Sequence, residues 1–150
     1  MKNRSEHPQS IDAATLAAEF RGVVGQLKRR MRKQTGSWDL TPSQAGVLLR
    51  LEKGGPATVS GLARAEGMRP QSMSSIVATL EAAGLVTSAA DPTDKRQFLL
   101  SLTDACRKKL RDDRAARQDW LSRVLQAHFS PREQAQIAAA VELLKRVAED

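Results

Sequence analysis

Residues 67–86, GMRPQSMSSIVATLEAAGLV, combine an apolar helical face with side chains that can hydrogen bond at close range. In a helix spanning 70–83, the apolar face holds Met73, Ile76, Val77 and Leu80. The outer positions hold short, uncharged side chains, namely Gln71, Ser72, Ser74, Ser75, Ala78, Thr79 and Ala82. Such side chains can approach the base edges of a DNA major groove, where Gln pairs with adenine and Ser is a less selective partner. The same small face could instead pack against another helix, so the helix alone leaves both interpretations open.

The chain has a basic charge balance. Its 24 Lys and Arg residues outnumber 17 Asp and Glu residues, and the net charge of +7 favours a polyanionic partner. Nucleic acid is the first such partner and an anionic membrane surface is the second. The third explanation is a basic protein that has no polyanionic partner.

Cysteine content and apolar runs bear on the compartment. The single cysteine, Cys106, excludes an internal disulfide framework and is typical of a reducing compartment. No apolar run approaches the roughly 20 residues of a membrane span. The N-terminal sequence MKNRSEHPQS lacks the apolar core of a signal peptide. We therefore expect a cytoplasmic protein without a membrane partner.

The elements that precede the polar helix are predicted from caps and apolar periodicity. A first helix runs from Ile11 to about Lys33, and a second begins after Thr41, where Pro42 and Gln44 complete a capping box. A short helix capped by Thr58 ends at Gly67, with its apolar positions Leu62 and Ala63 facing inward. The polar helix follows after a tight turn and stops at Gly84, a left-handed C-cap. Residues 58–84 thus form a helix-turn-helix.

Two short strands, LVTSAA and QFLLSLT, follow the polar helix. In the second, Phe98, Leu100 and Leu102 alternate and should form one buried face. The connecting sequence DPTDKR should project as a loop, with Lys95 and Arg96 at its end. Asp94 can pair with Arg96 and orient its guanidinium for a narrow minor groove. Alternatively, the loop is a solvated turn with an incidental ion pair.

Long helices with apolar stripes flank this region. Thr103 and Asp104 open a helix to about Phe129, and Ser130 with Glu133 caps a last helix. The first and last helices carry the stripes Leu16, Phe20, Val23, Val24, Leu27, Met31 and Ile137, Val141, Leu144. Only 3% of the residues are aromatic, so the central lobe has few large side chains that could cover these stripes. We therefore expect a second copy of the chain to bury them. The alternative is that the helices fold back within one chain.

The predicted fold is mainly α with a small two- to three-stranded β wing. We expect all 150 residues to form a single domain, with a winged helix-turn-helix lobe over about 40–103. Dimerisation helices over about 11–34 and 104–148 flank that lobe at its two ends.

The chain resembles the MarR-type (multiple antibiotic resistance) transcriptional regulators from about Leu40 to Thr103. The resemblance rests on LTPSQAGVLLRL, TVSGLARAEGM, RPQSMSSIVATLEAAGLV and DPTDKRQFLLSLT, in this order and spacing. It implies a homodimer whose first, fifth and sixth helices interlock and hold two winged lobes apart. It also implies that 70–83 is the recognition helix and that Asp94 and Arg96 are the wing pair. Lys95 stands where the family often has a second Arg. Together with the residue patterns, this gives the candidate DNA contacts Thr58, Arg69, Gln71, Ser72, Ser74, Ser75, Asp94, Lys95 and Arg96.

Other residues have competing interpretations. The resemblance implies a small aromatic or phenolic effector, and Trp38 either lines its pocket or packs a helix junction. Cys106 is a redox sensor activated by basic neighbours or, as we favour, a buried structural thiol. His7 and His128 are too few and too far from Cys106 for a metal site. We expect no cofactor, no metal and no enzymatic activity, since no catalytic grouping is present.

The sequence favours a sequence-specific regulator that binds double-stranded DNA. We expect a ligand-responsive repressor that binds a pseudo-palindromic operator as a homodimer. A non-specific nucleoid or architectural protein is one alternative, but it would need Lys and Arg on the outer face of 70–83. A winged-helix protein-interaction module is another, against which the basic wing and the net charge of +7 argue.

Overall fold

The computed structural model describes residues 11–36 and 38–149. The predicted N-terminal tail, with His7, lies outside these residues. Six helices and two strands are present in the described part: α1 (Ala13–Arg32), α2 (Pro42–Gly54), α3 (Val59–Ala65), α4 (Pro70–Ala82), β1 (Val86–Ala90), β2 (Phe98–Leu102), α5 (Asp104–His128) and α6 (Pro131–Glu149). The mainly α fold with a small wing is confirmed.

Side-chain caps fix where the helices begin. At α2, Thr41 Oγ1 accepts from the Gln44 amide at 3.2 Å, and Gln44 Oε1 accepts from the Thr41 amide at 2.9 Å. Ser130 and Glu133 form the same reciprocal pair before α6, at 3.2 and 2.8 Å. Thr103 Oγ1 accepts from the Cys106 amide at 3.1 Å and caps α5. The predicted starts of these three helices are confirmed. Each start depends only on residues within three positions of the cap, so the sequence alone is enough to predict it.

Two glycines end the helices of the helix-turn-helix. Gly67 after α3 has φ 64°, and Gly84 after α4 has φ 73°. Residues with a Cβ rarely adopt this left-handed backbone, so glycine is favoured at both positions. The predicted C-cap at Gly84 is confirmed.

The strands form an antiparallel pair in which Val86 faces Leu102 and Ala90 faces Phe98. An isolated bridge between Ala57 and Leu100 adds a third chain segment to one edge. The pair closes one side of an apolar core whose buried members come from α2, α3, α4, both strands and α5: Val47, Leu48, Leu51, Leu62, Ala63, Met73, Val77, Leu80, Val86, Leu100, Leu102 and Cys106. The core therefore holds α4 by its apolar face.

One core prediction was wrong. Phe98 shares the face of the buried Leu100 and Leu102, yet it is 62% exposed. It lies at the loop end of the hairpin, opposite the exposed Ala90. The alternation of apolar residues correctly predicts which face of β2 turns toward the core, but the core does not extend as far as Phe98.

The chain divides into two compact units. One, called the lobe below, comprises residues 38–115 and thus includes α5 up to Ala115. The other comprises residues 11–36 and 116–149. Within the part of the chain that the structure describes, no helix is long and apolar enough to span a membrane.

Candidate nucleic-acid interface

The outer face of α4 is an exposed surface of short, uncharged side chains. Met73, Val77 and Leu80 are buried in the lobe core, and Ile76 is partly buried against it. The exposed positions are those predicted: Gln71, Ser72, Ser74, Ser75, Ala78, Thr79 and Ala82. Burial of the apolar face thus fixes which side chains a partner of this helix meets.

The hydroxyl groups on this face differ in their hydrogen bonds. Ser75 Oγ donates to the Gln71 carbonyl at 3.3 Å, and Thr79 Oγ1 donates to the Ser75 carbonyl at 3.1 Å. These two hydroxyls therefore present acceptor lone pairs outward. The side chains of Gln71, Ser72 and Ser74 make no hydrogen bond to another described residue, so they can both donate and accept. The face offers both polarities that base edges require.

The N-terminus of α4 is not closed by a side chain. Arg69 stands at the N-cap position without a capping hydrogen bond, and Pro70 occupies the first turn. Uncapped amide groups and the helix dipole favour an anion there, and the exposed Arg69 adds a cation. Thr58 differs, because its Oγ1 accepts from the Gly61 amide at 3.0 Å and caps α3. Its hydroxyl proton remains free to donate.

The loop between the strands, residues 91–97, presents an oriented arginine. Asp94 Oδ1 accepts from the Arg96 backbone amide at 3.1 Å and from Arg96 Nε at 3.2 Å. The predicted pairing of these residues is confirmed. The Arg96 side chain is 91% exposed, so its terminal nitrogens are directed to solvent. Lys95 beside it is also exposed.

A second carboxylate shapes this loop, and sequence reasoning missed it. Asp91 Oδ1 accepts from the Thr93 amide at 2.9 Å and from Thr93 Oγ1 at 2.8 Å. These hydrogen bonds hold the pKa of the Asp91 carboxyl below its ordinary value. The backbone of Asp91 also donates to the Gln97 carbonyl at 2.9 Å. The signal was the sequence DPT, in which an aspartate can accept from the amide two residues later.

Trp38 lies in the lobe, partly buried against its apolar core. Lys109 Nζ stands 4.8 Å from the centre of its ring. The indole Nε1 is buried and has no hydrogen-bond partner among the described residues. These contacts agree with the helix-junction interpretation, while the ligand role of Trp38 stays a prediction.

Cys106 is buried in the lobe core. Burial raises the pKa of its thiol, the charge of Glu52 raises it further, and Arg107 opposes both. The alternative that basic neighbours activate this thiol is therefore wrong, because desolvation outweighs the charge of Arg107. The thiol packs as a small apolar side chain.

Comparisons with known proteins point to one family. The sequence model of the MarR family matches residues 38–97, a range that includes the outer face of α4 and the Asp94–Arg96 pair. An HTH-type transcriptional regulator of Mycobacterium bovis is 35% identical over 109 residues, which cover 73% of this chain and 76% of the relative. The HTH-type transcriptional repressor MdtR of Bacillus subtilis is 29% identical over 135 residues, covering 90% and 84%. A crystal structure of a transcriptional regulator from Pseudomonas aeruginosa is similar at 36% identity and a TM-score of 0.80, covering 91% of this chain and 96% of that one.

Proposed function

The chain belongs to the MarR family of DNA-binding transcriptional regulators, and from that premise we propose that it represses transcription as a homodimer on a pseudo-palindromic operator. The observation that carries the proposal is the outer face of α4, which is exposed and free of charge from Gln71 to Thr79. A helix that bound DNA through phosphates alone would need Lys or Arg there. Side chains that hydrogen bond without charge suit base edges instead.

In this proposal α4 enters the major groove and supplies base contacts. Gln71 occupies the first turn, and its free amide can form a bidentate pair with adenine. Ser72 and Ser74 can donate to or accept from neighbouring bases. Arg69 and the uncapped start of α4 bind the phosphate backbone beside them. The hydroxyl of Thr58 is a further phosphate donor.

The wing enters the adjacent minor groove. Its Asp94 carboxylate holds Arg96 through two hydrogen bonds, which fixes the direction of the guanidinium before DNA arrives. A narrow minor groove concentrates negative potential and attracts such a cation. Lys95 contributes charge nearby.

Homodimer formation explains the second unit of the chain. No residue of α1 or α6 is buried. Their exposed large apolar residues are Leu16, Phe20, Val23, Leu27, Val141, Leu143, Leu144 and Val147. The four on α1 recur at helical spacing along one face, and soluble monomers rarely leave a large apolar patch exposed. A second copy of the chain, related by two-fold symmetry, would bury these residues and pair two winged lobes.

The remaining parts of the proposal concern regulation. The name of the B. subtilis relative supports a repressor role. A small aromatic or phenolic effector that releases the DNA follows from the family resemblance, with Trp38 as its candidate contact. A repressor must reach chromosomal DNA, so the proposal includes a cytoplasmic location. Enzymatic activity forms no part of it.

Selection of bound sequences from random duplex DNA tests the proposal with the purified full-length protein. We expect one enriched pseudo-palindrome with half-site centres about 10 bp apart, one turn of the double helix. DNA binding without an enriched motif would identify the architectural alternative. No binding to any duplex would leave the protein-interaction module. A thermal-shift screen of aromatic acids and phenols, with release of the selected operator as its readout, tests the effector separately.

A further inference from the structure

The excess positive charge of the chain lies mainly outside the lobe that holds the proposed DNA contacts. In the lobe, 11 Lys and Arg residues stand against nine Asp and Glu residues, so the lobe is almost neutral. The second unit, residues 11–36 and 116–149, has 11 Lys and Arg residues against six Asp and Glu residues. Contacts made by α4 and the wing therefore leave most of this excess charge unused.

The C-terminal end of α1 carries the densest positive charge of the second unit. The sequence KRRMRK, residues 28–33, holds five cationic side chains, and all five are exposed. Arg30 lies 5.9 Å from the centre of the Trp120 ring, which is close enough for a cation–π contact. The other four form no ion pair with any residue in the ranges 11–36 and 38–149. These four are called the basic face below: Lys28, Arg29, Arg32 and Lys33.

The basic face lies on the side of α1 opposite its apolar stripe. At 3.6 residues per turn, the stripe residues Leu16, Phe20, Val23 and Leu27 share one side of the helix, and the basic face occupies the other. A second copy of the chain that buries the stripe would therefore leave the basic face exposed. The four cations stay accessible in the proposed homodimer as well as in the single chain.

No carboxylate of α1 compensates the basic face. Glu19 is nine positions before Lys28, which corresponds to roughly 13 Å along the helix axis. Like charges four residues apart repel each other, and the basic face contains two such pairs, Lys28 with Arg32 and Arg29 with Lys33. The helix dipole favours cations in the last turn, but it does not remove this repulsion. A partner with closely spaced negative charges would remove it.

We propose that the basic face binds the phosphate backbone of double-stranded DNA without reading its sequence. Duplex DNA carries one negative charge per roughly 1.7 Å of its axis, so several phosphates can contact the basic face together. The guanidinium groups of Arg29 and Arg32 match the geometry of a phosphate. This surface adds to the contacts of α4 and the wing, and it does not require that an operator is recognised.

An anionic membrane is the competing partner for a basic amphipathic helix. Such a helix binds by inserting its apolar side between lipids while its cations contact the headgroups. The apolar stripe of α1 would then be unavailable to a second copy of the chain. DNA needs only the basic face and leaves the stripe free, and the chain belongs to a family of DNA-binding proteins. These observations favour DNA.

The salt dependence of binding to a duplex of random sequence tests the proposal with the purified full-length protein. The neutral-face variant combines Lys28→Gln, Arg29→Gln, Arg32→Gln and Lys33→Gln. Its slope of log affinity against log salt should be flatter by at least about two, because each lost phosphate contact removes about one. Arg29→Lys combined with Arg32→Lys keeps both charges and should keep most of the slope.

The matched control removes the same net charge from four other exposed positions of the second unit. It combines Arg123→Gln, Arg132→Gln, Lys145→Gln and Arg146→Gln. Its slope should change by less than about one. Equal flattening in the control and in the neutral-face variant would reduce the effect to net charge and overturn the proposal. An unchanged slope in the neutral-face variant would overturn it as well.

Circular dichroism and analytical ultracentrifugation should show that the neutral-face variant and the control keep the fold and the oligomeric state of the unchanged protein. If the neutral-face variant does not fold, Arg32→Gln with Lys33→Gln replaces it, and the slope should then be flatter by about one. Lys145→Gln with Arg146→Gln is the control for that pair and should leave the slope unchanged. Equal slopes for these two double variants would refute the proposal.

Two further measurements separate this proposal from its alternatives. Phosphatidylglycerol vesicles that bind the unchanged protein but not the neutral-face variant, beside equal duplex slopes, would identify a membrane partner and refute the proposal. The preference for the selected operator over its single-base variants should be the same in the neutral-face variant, because α4 is unaltered. A flattened slope without any operator preference refutes only the proposed function, and an intact operator preference with an unchanged slope refutes only the role of the basic face.

Discussion

At the residue scale, the proposed function assigns sequence selectivity and electrostatic attraction to different side chains. Gln71 is uncharged and makes no side-chain hydrogen bond to another described residue. Arg96 is charged and already held by Asp94. Their substitutions should therefore affect different properties of the same complex.

Gln71→Ala should remove discrimination at one base position in each half-site. A good bidentate contact contributes about 1–3 kcal/mol against a wrong base. The salt dependence of binding should not change, because no charge is lost. Affinities for the selected operator and its single-base variants at several salt concentrations measure both effects. Gln118→Ala, an exposed glutamine on α5, is the control and should match the unchanged protein.

Arg96→Ala should weaken binding to most sequences alike. Each lost phosphate contact flattens the slope of log affinity against log salt by about one, so the two wings of a dimer should lose about two. Arg96→Lys keeps the charge but loses the paired Nε, and it should keep most of the slope. A change of base preference with an unchanged slope would place Arg96 among the base contacts instead.

Cys106→Ser should leave DNA affinity and its response to peroxide unchanged, because the thiol is buried. It should lower the free energy of unfolding by about 1–3 kcal/mol, since a hydroxyl replaces a weakly polar group in the core. Peroxide-driven release of DNA that disappears in this variant would contradict the structural role. Urea unfolding and operator binding measure the two properties.

The Cys106 thiol should also make the stability of the fold depend on pH, and the direction of its pKa shift gives the sign of this dependence. Burial raises the thiol pKa above its ordinary value of 9.0, so folding favours the protonated form. The resulting stability is fully present below pH 9.0 and is lost as pH rises through the raised pKa. Cys106→Ala should lack this part of the alkaline loss when the two unfolding curves are compared.

At the scale of elements, the capping box of α2 is the clearest local feature that fixes where a helix begins. Thr41→Ala removes the hydrogen bond to the Gln44 amide and should lower the free energy of unfolding by about 1 kcal/mol. Ser43→Ala changes an exposed residue inside the same helix and should have almost no effect. Urea unfolding of both variants checks the difference. Equal effects would mean that the cap does not stabilise α2.

Local signals explain why most elements and the α4 surface were predictable. Caps such as Thr41 and the left-handed Gly84 act within a few residues, and the stripe from Met73 to Leu80 defines one buried face. How far the core extends depends on packing between elements that are distant in the sequence, so the exposure of Phe98 could not be predicted.

At the scale of the whole molecule, the proposed homodimer rests on the exposed apolar residues of α1 and α6. Val23→Glu puts a carboxylate at a position that is 60% exposed in the single chain. A monomer would tolerate it. A dimer that buries this stripe would hold an unpaired charge, which costs several kcal/mol, or at least about a hundredfold in the dissociation constant.

Analytical ultracentrifugation at micromolar concentration should therefore show dimers for the unchanged protein and monomers for Val23→Glu. Ala18→Glu adds the same charge to the opposite face of α1 and should remain dimeric. A stable monomer without any substitution would refute the dimer. It would also remove the reason for a two-fold operator.

The tryptophans give each compact unit its own optical reporter. The chain has two tryptophans and no tyrosine, with Trp38 in the lobe and Trp120 in the other unit. Their surroundings also differ, because Lys109 lies over the Trp38 ring and Arg30 lies 5.9 Å from the centre of the Trp120 ring. Trp38→Phe and Trp120→Phe would each leave a single emitter in one unit. Superimposable unfolding curves from the two variants would show that the units unfold as one cooperative body, and separate curves would assign a stability to each.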